Sequence, residues 1–193
     1  MDRLAHHFMT MAFNNAWANH RLLGAVGRLS HADFLAPRTG FFPSLASTLN
    51  HIVTVDWFYV DALERGLSGR EVNLDARAFF DPEEPFDACG PLADAQRAVD
   101  RRLIDLCRSL TEAQLDLPIG IQRPGGIVHE TTTRLLAHVF QHQIHHRGQA
   151  HAMLAGTPVP PPQLDEFFCA NEADLRAEEL AALGTSESEI WDR

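Results

Sequence analysis

Three histidines in the segment HQIHHRGQ, residues 142–149, are the clearest candidates for chemistry in this chain. His142 and His146 stand four positions apart, which is about one helical turn, so both imidazoles would project from the same side of a helix. Two imidazoles at this spacing can bind one transition-metal ion. The spacing therefore predicts part of a metal site that needs a further ligand from another element.

The helical periodicity of this segment singles out His142 and His146 among its histidines. Both continue an otherwise apolar stripe, whereas His138 and His145 lie on its flank; the other members of the stripe are Leu135, Val139, Ala150 and Met153. Imidazoles on a buried stripe are costly unless they are bonded. Hydrogen-bonded core histidines would satisfy this condition, but a pair at this spacing favours metal binding.

His51 is the candidate third ligand. It lies in the segment SLASTLNHIVTVDWFYVDAL, on a stripe with Thr48, Val55, Phe58 and Ala62. Alone, His51 would be interpreted as an ordinary core histidine. Together with His142 and His146 it predicts a three-histidine site, which leaves a coordination position open for a ligand.

Neighbouring polar residues exclude some chemistries and leave others open. Gln143 stands where a zinc-protease helix has its catalytic glutamate, so the HExxH reading is excluded. Asp56 could orient a ligand histidine or form a structural salt bridge. Arg147 could bind an anion, although an inter-helix or surface ion pair is the commoner role.

Composition restricts the possible partners. The chain has 193 residues and a formal charge of −10, and all of its basic residues are arginines, without a basic cluster. Nucleic-acid binding is therefore disfavoured. We expect no membrane span, because no apolar run approaches the necessary length, and we expect a cytoplasmic protein with a small-molecule substrate.

The elements that must position these histidines are mostly helical. Periodicity and helix-ending residues predict five helices, at about 2–26, 43–65, 91–110, 131–154 and 164–183, with Thr131 or Thr132 as the cap of the fourth. A connector at 66–90 and a hairpin or extended loop at 115–130 separate them. We expect these two segments to border the site. The pattern predicts one all-α domain, a helical bundle with its core at about 2–167, an acidic C-terminal helix and a polar tail.

Four segments together resemble the DinB/YfiT-like family of metal-dependent four-helix bundles: FNNAWANHRLL, FFPSLASTLNHIVTVDWFY, HVFQHQIHHRGQAHAML and GTPVPPPQLDEF. The resemblance covers roughly residues 8–167. It implies a crossover bundle of up-down-down-up topology, a divalent metal held by His51, His142 and His146, and homodimers. Nitrogen ligands suit zinc, nickel, copper and iron alike, and among these we expect zinc or nickel, with iron as a further option.

The resemblance also suggests an activity. Family relatives transfer or isomerise substrates with low-molecular-weight thiols, so we expect a metal-dependent thiol S-transferase that acts on a small electrophile. A metal-dependent hydrolase and a non-catalytic, stress-associated metal-binding protein are the alternatives. A hydrolase would need a carboxylate near the metal, for which the ligand helices offer only Asp56.

Overall fold

The protein is described here by a computed structural model that covers residues 3–192. Within this range the α-helices are α1 (Arg3–Val26), α2 (His31–Leu35), α3 (Leu45–Leu67), α4 (Cys89–Ser109), α5 (Glu112–Leu115), α6 (Thr132–Leu154), α7 (Ala173–Ala182) and α8 (Glu187–Trp191). Strands β1 (Pro118–Arg123) and β2 (Gly126–Thr131) form an antiparallel pair, and short 3-10 helices occupy Ala76–Phe80 and Ala170–Glu172. The fold is thus mainly helical, as predicted. None of the helices in 3–192 combines the length and apolarity that a membrane span requires.

The long helices α1, α3, α4 and α6 form the body of the molecule. Helix α1 packs against α4 and α6, and α3 packs against the same two helices. Helices α1 and α4 run antiparallel, because Arg108 lies over the ring of Phe13 while Cys89 contacts the carbonyl oxygen of Leu23 at the other end. Four aromatic side chains are buried in the core of this body: Phe8, Trp17, Phe58 and Phe140.

Helix α3 also runs antiparallel to α6, and this packing brings the histidines together. His51 lies opposite His142, and Tyr59, two turns further along α3, lies opposite His138, one turn earlier on α6. The shared core between these helices fixes their spacing, so the histidine positions follow from the packing of apolar stripes.

Side-chain caps define where the two histidine-bearing helices begin. The Ser44 hydroxyl accepts a hydrogen bond from the Ser47 N–H, and α3 starts at Leu45. Thr131 caps α6 by accepting from the Arg134 N–H, which confirms one of the two predicted caps. Such caps satisfy N–H groups that have no partner in the first helical turn.

Of the two alternatives for residues 115–130, a hairpin or an extended loop, the structure has the hairpin, which packs against α3. Gly126 has φ +118°, a conformation that favours glycine, and it follows the turn between β1 and β2. Gly66 allows the close approach of β1, since a Cβ at this position would lie 2.5 Å from Cδ1 of the buried Ile119. The hairpin is therefore fixed to the end of α3.

The C-terminal part differs from the sequence prediction. The predicted helix at 164–183 is shorter, because α7 covers only Ala173–Ala182. The buried Arg176 donates hydrogen bonds to the carbonyl oxygens of Glu166 (2.8 Å) and Cys169 (3.1 Å), which holds that stretch in a non-helical path. The predicted polar tail instead contains α8, whose Ile190 lies in the main hydrophobic core. Short helices α2 and α5 were also not predicted.

Candidate metal centre

The three predicted ligand histidines converge on one point between α3 and α6. His51 Nε2 lies 3.0 Å from His142 Nε2, and one ligand nitrogen from each of His51, His142 and His146 lies within 4.8 Å of the others. Nitrogens bound to a tetrahedral zinc ion lie about 3.3 Å apart, given Zn–N distances of about 2.0–2.1 Å. The cluster therefore has dimensions that could hold a metal ion after small side-chain adjustments.

The side chain of Phe42 covers one side of the cluster. The Phe42 ring centroid lies 4.5 Å from that of His51 and 5.6 Å from that of His146. His146 is buried, whereas His51 and His142 are half-buried. The site is therefore partly dry and still accessible.

Burial keeps the three imidazoles neutral. The pKa of His51 is lowered to about 4, mainly by desolvation and to a smaller extent by electrostatic repulsion from His146 in its protonated form. Desolvation and then the neighbouring histidines lower the pKa of His142 to about 3. The pKa of His146 is also lowered, mainly by desolvation. Neutral imidazoles present lone pairs, which is the form that binds metal ions.

A glutamine orients His146 within the cluster. His146 Nδ1 lies 2.8 Å from Gln149 Oε1, and Gln149 Nε2 lies 3.1 Å from Nε2 of the exposed His145. Since an amide oxygen only accepts, this contact places the proton on His146 Nδ1 and leaves its Nε2 free for a metal.

The other histidines of α6 lie outside the cluster, as the helical periodicity predicts. His138 packs on the ring of Tyr59, with centroids 4.9 Å apart. His145 points to the surface, and His151 Nε2 contacts the carbonyl oxygen of Pro162 at 2.9 Å. His138 and His145 both border the cluster, since the His138 ring centroid lies 6.0 Å from that of His142 and the His145 ring centroid lies 4.8 Å from that of His146.

Asp56 does not contact the histidines. Its Oδ2 accepts hydrogen bonds from Gln96 Nε2 at 2.7 Å and from Gln143 Nε2, while its Oδ1 is buried and has no hydrogen-bond partner among residues 3–192. Desolvation first, and then the charge of Asp100, raises the pKa of Asp56 to about 8. Asp56 therefore links α3 to α4 and α6 through hydrogen bonds inside the bundle. The suggested hydrogen bond between Asp56 and a ligand histidine is not observed.

Arg147 extends this buried network towards α1. Its Nη1 donates to Gln143 Oε1 at 2.9 Å, to Asn19 Oδ1 at 3.1 Å and to Asn15 Oδ1. The amides of Asn15 and Asn19 in turn donate to Asp100 Oδ1, both at 3.0 Å. The expected ion pair of Arg147 is therefore replaced by a buried relay of neutral amides between Arg147 and Asp100.

A cavity of about 290 Å³ lies beside His51. Phe42, from the segment before α3, lines it together with three residues of the 66–90 connector: Phe80, Glu83 and Glu84. The connector therefore borders the site, as expected. The two glutamates were missed from the sequence because only the folded connector brings them back to α3, and no periodicity signals this return.

Comparison with known proteins agrees with this architecture. The sequence model of the DinB family matches residues 2–179. Protein DinB of Bacillus subtilis (strain 168) is 27% identical over 145 residues, which are 72% of this chain and 80% of that protein.

A solved structure gives a further comparison. The crystal structure of the DinB-like protein YjoA from Bacillus subtilis has a TM-score of 0.55 at 18% identity, covering 80% of this chain and 96% of that one. This similarity concerns the fold, whereas the family match concerns nearly the whole sequence. The chain therefore belongs to the DinB family.

Proposed function

We propose that His51, His142 and His146 bind one divalent transition-metal ion and leave a coordination position open. The observation that carries this proposal is the convergence of three imidazoles, with ligand atoms within 4.8 Å of one another, beside a cavity. Nitrogen ligands suit zinc and nickel, which we favour, and also iron.

On this centre we propose transfer of a low-molecular-weight thiol to a small electrophile. A metal ion at this position would favour the thiolate form of the thiol at neutral pH. The chain's own residues would hold the ion, shield one side with Phe42 and admit a small molecule through the cavity of about 290 Å³. Within residues 3–192, the hydrogen bonds of the three histidines involve no carboxylate, which suits a nucleophile that needs no protein base.

The activity can be tested with metal-loaded protein and three thiols: bacillithiol, mycothiol and glutathione. We expect thiol consumption with at least one member of an electrophile panel, and loss of this activity in His142→Ala. His7→Ala is the control, because His7 is exposed on α1, takes no part in the cluster and should be replaceable without effect. Absence of turnover with every thiol in fully loaded protein would contradict the transferase proposal.

A hydrolase is the second candidate, and the position of Glu83 and Glu84 favours it. Both line the cavity beside His51 and could accept a proton from water, a role that Asp56 cannot fill from its buried network. Hydrolysis of small esters or amides without added thiol, lost in a Glu83→Gln, Glu84→Gln double variant that retains metal, would support this candidate over the transferase.

We also propose the crossover arrangement for the four long helices. Helix α3 runs parallel to α4, since Asp56 binds Gln96 and, two turns later, Glu64 binds Arg102. With the antiparallel pairs α1–α4 and α3–α6, these contacts support an up-down-down-up order.

The homodimer and the cytoplasmic location stay predictions; light scattering on purified protein tests the former.

A further inference from the structure

A second pocket adjoins the cavity of the histidine cluster. It has a volume of about 480 Å³ and lies between α3, the connector and the hairpin turn. Phe58, Leu74 and Phe80 give it an apolar wall, and Arg77 and Arg123 are its two charged residues. Phe80 also lines the cavity beside His51, so the two spaces share this side chain.

Arg123 is positioned by contacts that leave its charge unneutralised. Its Nη2 donates a hydrogen bond to the Tyr59 hydroxyl at 2.7 Å, and its guanidinium carbon lies 5.1 Å from the Phe58 ring centroid and 5.6 Å from that of Tyr59. Among the residues with described positions, neither Arg123 nor Arg77 takes part in an ion pair. Both arginines are exposed at the same pocket, where their free N–H groups could bind an anion although the chain has a net charge of −10.

Aromatic contacts connect Arg123 with the histidine cluster. Tyr59 packs on His138 with ring centroids 4.9 Å apart, and the ring centroids of His138 and His142 are 6.0 Å apart. His138 and His142 are separated by one turn of α6, which is about 6 Å along the helix axis. Tyr59 and His138 therefore link Arg123 to the cluster through direct side-chain contacts.

We propose that this pocket binds the carboxylate of a small organic molecule, with Arg123 as the principal anion-binding residue and Arg77 as its neighbour. The apolar part of the molecule would pack on Phe58 and Phe80, and its reactive end would face His51, His142 and His146. The placement of the reactive end rests on the proposed metal centre, whereas the binding of the carboxylate to Arg123 does not. A planar guanidinium suits a carboxylate because it offers paired N–H donors.

The carboxylate could belong to the electrophilic substrate or to the thiol. Phenylpropionate serves as a probe of the first kind, with the neutral phenylpropionamide as its isosteric control. Mercaptopropionate serves as a probe of the second kind, with the neutral mercaptopropionamide as its isosteric control. Each pair isolates the contribution of the negative charge.

Titration calorimetry on the whole protein tests carboxylate binding. We expect phenylpropionate to bind about tenfold or more tightly than phenylpropionamide, and Arg123→Gln to remove this preference, as the loss of a charge-assisted hydrogen bond predicts. Arg134→Gln is the matched control, since Arg134 is exposed and, within residues 3–192, its ion pair is with Glu130. If Arg123→Gln disturbs the hairpin that carries this residue, Arg77→Gln provides an independent test of anion binding at the same pocket.

The cobalt-substituted protein tests whether the reactive end of the bound molecule faces the histidine cluster. We expect mercaptopropionate to change the cobalt spectrum at about tenfold lower concentration than mercaptopropionamide does, and Arg123→Gln to abolish the difference. Equal affinity for acid and amide in calorimetry, or equal loss in Arg123→Gln and Arg134→Gln, would overturn the proposed carboxylate site. A protein that binds phenylpropionate through Arg123 but takes up no cobalt would instead contradict the proposed function alone.

Discussion

At the scale of single residues, the charge state of the buried network explains how a polar layer is tolerated beneath the site. Asp56, Asp100 and Arg147 are all buried, and desolvation raises the pKa of Asp56 to about 8 and that of Asp100 to about 6. A proton on Asp56 at neutral pH leaves one negative and one positive charge, so the network is neutral overall. Neutrality limits the cost of burying these groups.

This charge assignment predicts a pH dependence of stability. The folded protein holds the Asp56 proton up to about pH 8, whereas the ordinary pKa of the group is 3.8. The folded state thus binds more protons in this window, and the contribution of Asp56 to stability is lost as pH rises through it. Relative to Asp56→Asn, the metal-free wild type should lose up to about 1.4 kcal/mol of unfolding free energy per pH unit in this range.

Urea denaturation of both proteins at about pH 6 and about pH 8 measures this difference. Asparagine retains the shape of a protonated carboxyl group and cannot ionise, so it is the appropriate reference. Parallel stability curves for wild type and Asp56→Asn would contradict the assignment of a proton to Asp56.

At this scale, much of the candidate site could be predicted from the sequence. His51, His142 and His146 share helical stripes with apolar residues, and stripes of this kind must face each other in a bundle. The flanking His138 and His145 could be set aside for the same reason. Phe42, Glu83 and Arg123 could not be assigned, because they lie outside the helices and the path of the chain through those segments has no periodic signal.

At the scale of elements, the N-cap of α3 helps to fix the register of His51. The Ser44 hydroxyl accepts from the Ser47 N–H at 3.0 Å, at the start of the helix that carries His51 seven residues later. Loss of a cap of this kind costs about 1 kcal/mol.

Ser44→Ala should therefore lower the unfolding free energy by about 1 kcal/mol, whereas Ser44→Asn, which keeps a capping side chain, should have little effect. Denaturant unfolding of the three proteins measures the difference. Equal destabilisation by alanine and asparagine would show that Ser44 acts through packing rather than as a cap.

Element boundaries show where sequence reasoning succeeds and where it fails. The α6 cap at Thr131 and the hairpin after α5 follow local rules of capping and turn chemistry, and both were predicted. The segment at 164–169 has helical composition but is held open by hydrogen bonds from Arg176, a tertiary effect that no local pattern contains.

At the scale of the whole molecule, the C-terminal segment belongs to the main core. Ile190 of α8 is fully buried, and Arg176 forms an ion pair with Glu187 at 2.8 Å. These contacts join α7 and α8 to the bundle, in contrast to the polar tail expected from the sequence.

Ile190→Ala should consequently destabilise the protein by roughly 2–5 kcal/mol, and Ile190→Val by only about 1 kcal/mol. Thermal or urea unfolding of the two variants provides the measurement. If both variants unfold like the wild type, α8 does not contribute to the core, and residues after 183 behave as a tail.

Metal analysis of the purified protein tests the central claim most directly. We expect about one equivalent of zinc, nickel or iron per chain in the wild type and in His7→Ala, and loss of most of it in His51→Ala, His142→Ala and His146→Ala, because two imidazoles bind more weakly than three. Circular dichroism on the same samples checks that the variants are folded. Equal metal content in wild type and His142→Ala would contradict the three-histidine centre.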